Sequence, residues 1–194
     1  TIFINPTQFN NAEDLKRYPR TLEADMKMLK STPCNIVFAP SAEEVYPERD
    51  NRVFEFGNLG DVMEGLHRPG HFNGVAQVVS KLFYMVKPHK AYFGLKDFQQ
   101  LAIINRMVDQ LKLPVEIVSC PIIREKDGLA MSSRNTLLEP IERENAVLIS
   151  QTLFEAVKNK ANYTVEELKK WVVETINQNP YLETEYFDIV EDRE

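Results

Sequence analysis

Apolar and polar positions change period several times along the chain, and each change predicts an element. Ile2-Phe3-Ile4 is a continuous apolar run closed by Asn5-Pro6, which predicts a buried strand ended by a turn. Leu22, Met26 and Leu29 recur at helical spacing, with Thr21 placed as N-cap and Glu23 and Asp25 in the first turn. Asn35–Phe38 and Val53–Phe56 predict two further short strands, the second at a sheet edge. Val75, Val79, Leu82 and Val86 form an apolar stripe on a helix over 72–87 that Pro88 stops. Ala91–Phe93 returns to strand. Asp97 then opens a helix as N-cap, with Gln100 in capping-box position and Leu101, Ile104, Val108 and Leu111 along one face. Val115–Ser119 is the next strand.

Strand, helix, strand, helix, strand at these lengths predicts an α/β fold with a parallel sheet and right-handed crossovers. The pattern changes downstream. Pro140 begins a helix, Thr164 and Glu167 form a capping box for another that bears Leu168, Trp171 and Val172, and Glu185–Val190 predicts a last strand. All seven glycines lie between Gly57 and Gly128. Residues 1–138 carry 17 basic and 16 acidic side chains, whereas residues 139–194 carry 6 and 13. These shifts put a boundary near Cys120–Pro121, with an α/β domain over 1–120 and a smaller, acidic domain over 121–194.

Composition narrows the function classes. With 43% hydrophobic and 27% charged residues, the 194-residue chain is neither a collagen, a disordered tail nor a disulfide scaffold. A net charge of −6 disfavours nucleic acid as principal partner, because phosphate binding wants a basic face. Cys34 and Cys120 are too few and too scattered for a metal cage or a staple, so no metal site is expected and both read as reduced thiols packed in a core. No apolar run approaches the roughly 18 residues of a membrane span, and the start of the chain has no signal-peptide pattern. The reading is a cytoplasmic globular protein without a membrane partner.

In an open parallel sheet, ligands lie at the carboxyl ends of the strands, and two polar clusters fall there. Asn5-Pro6-Thr7-Gln8-Phe9 follows the first strand, and Gly94-Leu95-Lys96-Asp97-Phe98-Gln99-Gln100 follows Ala91–Phe93. The second combines a glycine that lets backbone approach a ligand, a helix N-terminus and the Lys96 cation; amides such as Gln8 and Gln100 orient a polar substrate without adding charge. It reads equally as a capped helix with a surface lysine. A third cluster, Arg124 to Asn135, places Ser132, Ser133 and Arg134 after a glycine hinge, which suits either a mobile phosphate clamp or an exposed loop. The fourth, Glu64 to Phe72, is a tight glycine-proline turn in which His71 lines a cleft, caps a helix or faces solvent; His67 and His89 read as structural.

Taken together, Asn5–Phe9, Tyr18-Pro19-Arg20-Thr21, Arg68-Pro69-Gly70-His71-Phe72, Lys96-Asp97-Phe98-Gln99-Gln100 and Asp127–Asn135 stand in the order and approximate spacing of the pantothenate synthetase (pantoate–β-alanine ligase) family, and the chain resembles it over essentially its whole length. The resemblance implies a cytoplasmic, homodimeric enzyme of coenzyme A biosynthesis with a Rossmann-like nucleotidyltransferase sheet and a small C-terminal α+β lid domain. It implies that pantoate and ATP, with Mg2+, give pantoyl adenylate and pyrophosphate, and that β-alanine then displaces AMP to give pantothenate. Carried onto matching positions, Gln8 and Gln100 hold pantoate, Gln8 also borders β-alanine, and Asn5, Arg68 and His71 belong to the substrate pocket. Gly94, Leu95, Lys96 and Asp97 hold ATP ribose and phosphate. Ile123, Met131, Ser132, Ser133 and Arg134 close over adenine and triphosphate, with Lys96, Ser132, Ser133 and Arg134 as the catalytic set. These are roles of positioning and charge neutralisation.

Two departures stand out. Leu95 occupies a position where the family usually carries Glu, and none of the three histidines sits in the family's His-x-Gly-His phosphate turn. The chain also starts inside an apolar strand-like run without an initiator Met. The expectation is therefore a fragment that lacks part of the ATP site and the family's C-terminal end, inactive in adenylation by itself. A non-catalytic nucleotide- or partner-binding module is the alternative reading. Another adenylate-forming enzyme, such as an aminoacyl-tRNA synthetase, is disfavoured by the acidic charge and small size.

Overall fold

The one β-ladder among the described residues joins two five-residue strands. Lys90–Gly94 (β1) and Glu116–Cys120 (β2) pair in parallel, with Lys90 opposite Glu116 and Gly94 opposite Cys120. The computed structural model describes residues 1–191 and contains two compact units, Thr1–Pro121 and a second beginning at Ile122.

In the first unit, short helices Ala12–Arg17 (α1), Leu22–Leu29 (α2), Ala42–Val45 (α3), Asn58–Asp61 (α4) and Glu64–His67 (α5) lead into two long ones, His71–Val86 (α6) and Phe98–Leu111 (α7). The apolar stripes of α6 and α7 face each other and the ladder. Val75, Ala76, Val78, Val79 and Phe83 from α6 and Ile104, Met107 and Val108 from α7 form the buried core, which Phe93 and Ile117 join from β1 and β2. Burying such side chains stabilises by about 1.5–3 kcal/mol each. Each long helix ends on a lysine in the left-handed region, Lys87 at φ 49° and Lys112 at φ 50°. In the second unit, Pro140–Asn145 (α8), Val147–Asn159 (α9) and Val165–Asn177 (α10) follow one another. Ala156, Leu168, Val172 and Ile176 make their core, with Trp171, Leu182 and Phe187 against it. The Thr164–Glu167 capping box starts α10 and Pro140 occupies the first turn of α8, as the sequence pattern predicts.

Four predicted strands form no ladder. Between Ile2–Ile4 and Asn35–Phe38 the one backbone bond among the described residues is Ile2 N–H to Phe38 O at 2.9 Å, too little for a ladder. Beside Val53–Phe56, side chains of α6 and α7 take up backbone groups, Gln110 Nε2 of α7 donating to Glu55 O at 2.9 Å. Asn73 Oδ1 accepts from Phe54 N, and the Asn73 and Gln77 amides donate to Arg52 O. Glu185–Val190 has no ladder partner among the described residues. Thr21 stands at the N-cap of α2, but its hydroxyl goes to Asp25 Oδ1 at 3.1 Å rather than to the helix backbone. The cysteines depart from expectation as well. Cys34 is exposed, with Sγ 3.4 Å from Ile36 O, and Cys120 is half-buried at the end of an edge strand.

Beside α6 lies a carboxylate that the fold has withdrawn from water. The Asp50 side chain is 4% exposed, takes Arg52 Nε and the Arg52 terminal nitrogen at 2.9 and 2.6 Å, and has Lys81 Nζ at 3.7 Å. The Arg52 hydrogen bonds hold its carboxyl below the usual carboxylate range, against the opposing effect of burial. A depressed folded-state pKa contributes stability above the unfolded value, and that stability is lost as pH falls through the folded value. Asp50→Asn is therefore expected to melt lower than the parent at pH 7, with the gap closing below about pH 4, the ordinary carboxylate value. Thermal melts from pH 7 to pH 2.5 check this; a gap constant with pH would overturn it.

Candidate active site

The turn Asn5-Pro6-Thr7-Gln8 is built from inside the protein. Pro6 opens a single 3-10 turn, Pro6–Gln8, and Asn5 caps it through a 3.4 Å bond from Thr7 N to Oδ1. Asn5 is buried to 3% exposure because its amide holds several groups at once. Its Nδ2 donates to Gly74 O at 3.1 Å and to Gln8 Oε1 at 3.3 Å, and its Oδ1 accepts from Tyr46 OH at 2.8 Å and Thr7 Oγ1 at 3.1 Å. The approach to α6 requires glycine: a Cβ at Gly74 would lie 2.7 Å from Thr7 O and 3.1 Å from Gln8 Cα.

Two cationic or titratable side chains converge on the backbone of Gln8. Its carbonyl oxygen accepts from the Arg68 guanidinium at 3.2 Å and lies 3.0 Å from His71 Nδ1. A carbonyl only accepts, so Nδ1 carries the proton. Burial pushes the His71 pKa down, helped by the Arg68 charge and opposed by the Gln8 carbonyl, Glu64 and Asp97. The ring is then neutral at physiological pH, and its Nε2 is an acceptor. Arg68 is held in turn by Glu64 Oε1 at 2.9 Å. The structure thus brings Asn5, Gln8, Arg68 and His71 into one network, in which Gln8 is bonded to Asn5 through its side chain and to Arg68 and His71 through its carbonyl.

The second cluster sits where β1 runs into α7. Gly94 ends the strand, Leu95–Asp97 forms a 3-10 turn, and all four residues are exposed. Lys96 Nζ lies 3.2 Å from Asp97 Oδ1. Asp97 holds the N-cap position of α7 without a side-chain cap bond, which corrects the predicted capping box with Gln100. Gln100 is half-buried. Its neighbour Gln99, which the sequence pattern did not single out, is buried and makes three bonds. Nε2 donates to Leu59 O at 2.9 Å and Val62 O at 2.8 Å, and Oε1 accepts from Glu64 N at 3.0 Å. The available signal was periodicity. Gln99 begins a buried row with Ile103 and Met107, and a polar residue on such a row demands partners.

In the second unit, a tight hairpin precedes the serine-arginine segment. Arg124 bridges Ala130, Glu125 N donates to Leu129 O at 2.7 Å, and Gly128 turns the chain at φ 97°. Asp127 pairs with Arg143 at 2.9 Å and accepts from Leu129 N; these contacts, the backbone bond foremost, hold its carboxyl below the usual range. Met131 N donates to Ile123 O, so Ile123 and Met131 are neighbours, both exposed. Ser132 Oγ accepts from Arg134 N at 3.3 Å and caps the 3-10 turn Ser133–Leu137, while Asn135 Nδ2 donates to Ala130 O at 3.0 Å. Ser133 and Arg134 lie exposed on that turn. His67 and His89 are exposed, the latter accepting Glu116 N on its carbonyl.

The chain is similar to known proteins over nearly its whole length. The family profile for pantoate–β-alanine ligase matches residues 1–194. Pantothenate synthetases from Porphyromonas gingivalis and Bacteroides fragilis are 58% identical over 191 residues, which is 98% of this chain and 68% of theirs. The crystal structure of pantothenate synthetase from Thermus thermophilus superposes with a TM-score of 0.93 at 43% identity, covering 98% of this chain and 70% of that one. Pantoate–β-alanine ligase from Francisella tularensis, crystallised with β-γ ATP and β-alanine, superposes with a TM-score of 0.78 at 36% identity, covering 90% of this chain and 66% of that one. The parallel sheet and the helices that pack on it are therefore those of the nucleotidyltransferase-like α/β fold of these enzymes. A family match over residues 1–194, together with 58% identity over 98% of the chain, makes this chain a member of the pantoate–β-alanine ligase family.

Proposed function

We propose that these residues serve the ATP-dependent condensation of pantoate with β-alanine to pantothenate, AMP and pyrophosphate. The observation that carries this reading is the family match across residues 1–194. The reaction is read as two displacements. The pantoate carboxylate oxygen attacks the α-phosphorus of ATP, and the bond to the bridging oxygen breaks with departure of pyrophosphate. The β-alanine amine then attacks the acyl carbon of pantoyl adenylate, loses a proton, and expels AMP.

In this reading Gln8 and Gln100 address the hydroxyl and carboxylate groups of pantoate with neutral amides, and Gln8 also borders β-alanine. Asn5, Arg68 and His71 act on the same pocket through Gln8, Asn5 bonding its side-chain amide and the other two its carbonyl. Gly94, Leu95, Lys96 and Asp97 meet ATP ribose and phosphate, with Lys96 supplying positive charge where negative charge builds up as pyrophosphate departs. Within the second unit, Ile123 and Met131 are assigned to adenine, and Ser132, Ser133 and Arg134 to the triphosphate. The described residues hold no cluster of three or more His, Cys, Asp or Glu able to cage a metal, and Asp97 is a single exposed carboxylate beside Lys96. A Mg2+ would arrive with ATP, and Asp97 would be the carboxylate beside Lys96 that could help hold it. When bound, the ion neutralises phosphate charge. The reading extends to a cytoplasmic homodimer; no helix among the described residues is long and apolar enough to cross a membrane.

The 194 residues contain no His-x-Gly-His turn, so the isolated chain is proposed not to complete adenylation, and the assays use a polypeptide that carries these residues together with such a turn. Pantoate-dependent exchange of labelled pyrophosphate into ATP without β-alanine is expected, and Lys96→Ala should lower it by about 100-fold or more, the scale of one lost electrostatic donor, with little change in melting temperature. Exchange unaffected by Lys96→Ala would remove its role. Gln8→Ala and Gln100→Ala should each raise the KM for pantoate far more than the KM for ATP, since each loss leaves substrate polar groups unpaired. Equal losses for both substrates would make the two glutamines structural.

A further inference from the structure

Helix α5 lacks the parts that normally start a helix. Its N-cap, Met63, has φ 50° and makes no side-chain cap bond, and the preceding α4 ends at Asp61 with no basic residue in its last turn. A non-glycine residue in that backbone region is strained and persists only where its surroundings hold it. The holding group comes from another helix. Gln99 Oε1 accepts Glu64 N, the first N–H of α5, while its Nε2 donates to the carbonyls of Leu59 in α4 and Val62 between the helices. One buried amide on the first turn of α7 thus satisfies three backbone groups of the 59–64 segment.

What α5 carries gives this amide a function. Glu64 at its start grips Arg68 just past its end at 2.9 Å, and Arg68 donates to Gln8 O at 3.2 Å. A continuous chain of short contacts therefore runs from Gln99 through Glu64 and Arg68 to Gln8. Gln99 also sits next to Gln100 on α7, so the two substrate glutamines of the proposed site are joined through the residue beside one of them. Gly65 packs the helix tightly against this frame: a Cβ there would lie 2.0 Å from Gly60 O, so α5 has little room to shift by itself.

We propose that Gln99 is a positioning residue for pantoate, fixing Gln8 relative to Gln100 through the start of α5 and the Glu64–Arg68 pair. The inference rests on the ligase reading above. Gln99 touches no substrate; it acts by setting where the Gln8 turn stands. Misplacement of a substrate-holding group by about 1 Å costs up to 100-fold in rate, and the loss falls on the substrate that the displaced group holds.

The test compares Gln99→Met, which keeps the volume and removes the amide, with Gln99→Glu, which keeps an acceptor for Glu64 N but turns a carboxylate toward two carbonyls. Both should raise the pantoate KM by about tenfold or more and leave the ATP KM within about twofold. Glu64→Ala, which breaks the chain at its next link, should move the pantoate KM in the same direction. The Gln99→Met, Glu64→Ala double variant should be no worse than the worse single one, since both cut one path. Losses of kcat with both KM values unmoved, or single effects that multiply in the double variant, would overturn the proposal. If Gln99→Met fails to fold, an unchanged pantoate KM in Glu64→Ala overturns it alone. A parent polypeptide that makes no pantothenate overturns the ligase reading itself, whereas a working parent whose pantoate KM ignores these variants overturns only the role of Gln99.

Discussion

The close approach of α6 to the Asn5–Gln8 turn governs the first unit. Helix and turn meet backbone to backbone at Gly74, where no side chain intervenes. That contact lets the buried Asn5 amide reach Gly74 O, and it brings the first turn of α6 near enough for His71 to bond Gln8 O. The same helix uses Asn73 and Gln77 to bond backbone groups of residues 50–54. A single helix therefore serves as apolar core on one face and as a rack of hydrogen-bonding groups on another, and segments lacking a sheet partner take their geometry from it.

Buried amides do much of this work. Asn5, Gln77 and Gln99 are all nearly inaccessible, and each ties its own segment to backbone groups of a segment distant in sequence. Such groups are costly to bury unpaired, so each one penalises alternative packings in which its partners move away. Irregular stretches between residues 50 and 70 are specified this way rather than by helix length or a ladder. The Asp50–Arg52 pair adds a charged version of the same device.

The sequence displayed the long helices and the parallel ladder plainly because both write a period into the chain. The rows Val75–Val79 and Leu101–Ile104–Val108 are core rows in the structure, and the Thr164–Glu167 box starts α10 where its pattern says. The short apolar runs misled for a physical reason. Ile2–Ile4 and Val53–Phe56 have strand composition, yet a strand needs a neighbour, and composition does not say whether one is there. At the candidate site, the motifs located the turn at Asn5–Gln8 and the Lys96 junction, but not how they are braced. Gln99 escaped notice because its partners are backbone groups 35 to 40 residues away, contacts that no local spacing announces. The Asp97 cap failed similarly: the 3-10 turn Leu95–Asp97 leads the chain into α7 and leaves that carboxylate beside Lys96.

The doubly bonded carbonyl of Gln8 has a consequence for molecules designed against this turn. With Arg68 and His71 already donating to it, that oxygen has both of its lone pairs engaged, so a compound that presents a donor toward it gains nothing and must displace a guanidinium or an imidazole to bind. The Gln8 side-chain amide, held among the described residues by a 3.3 Å bond from Asn5, is the softer point of attachment. Selective chemistry at this turn is thus to be sought in paired donor-acceptor groups that match a primary amide, with the peptide backbone treated as closed.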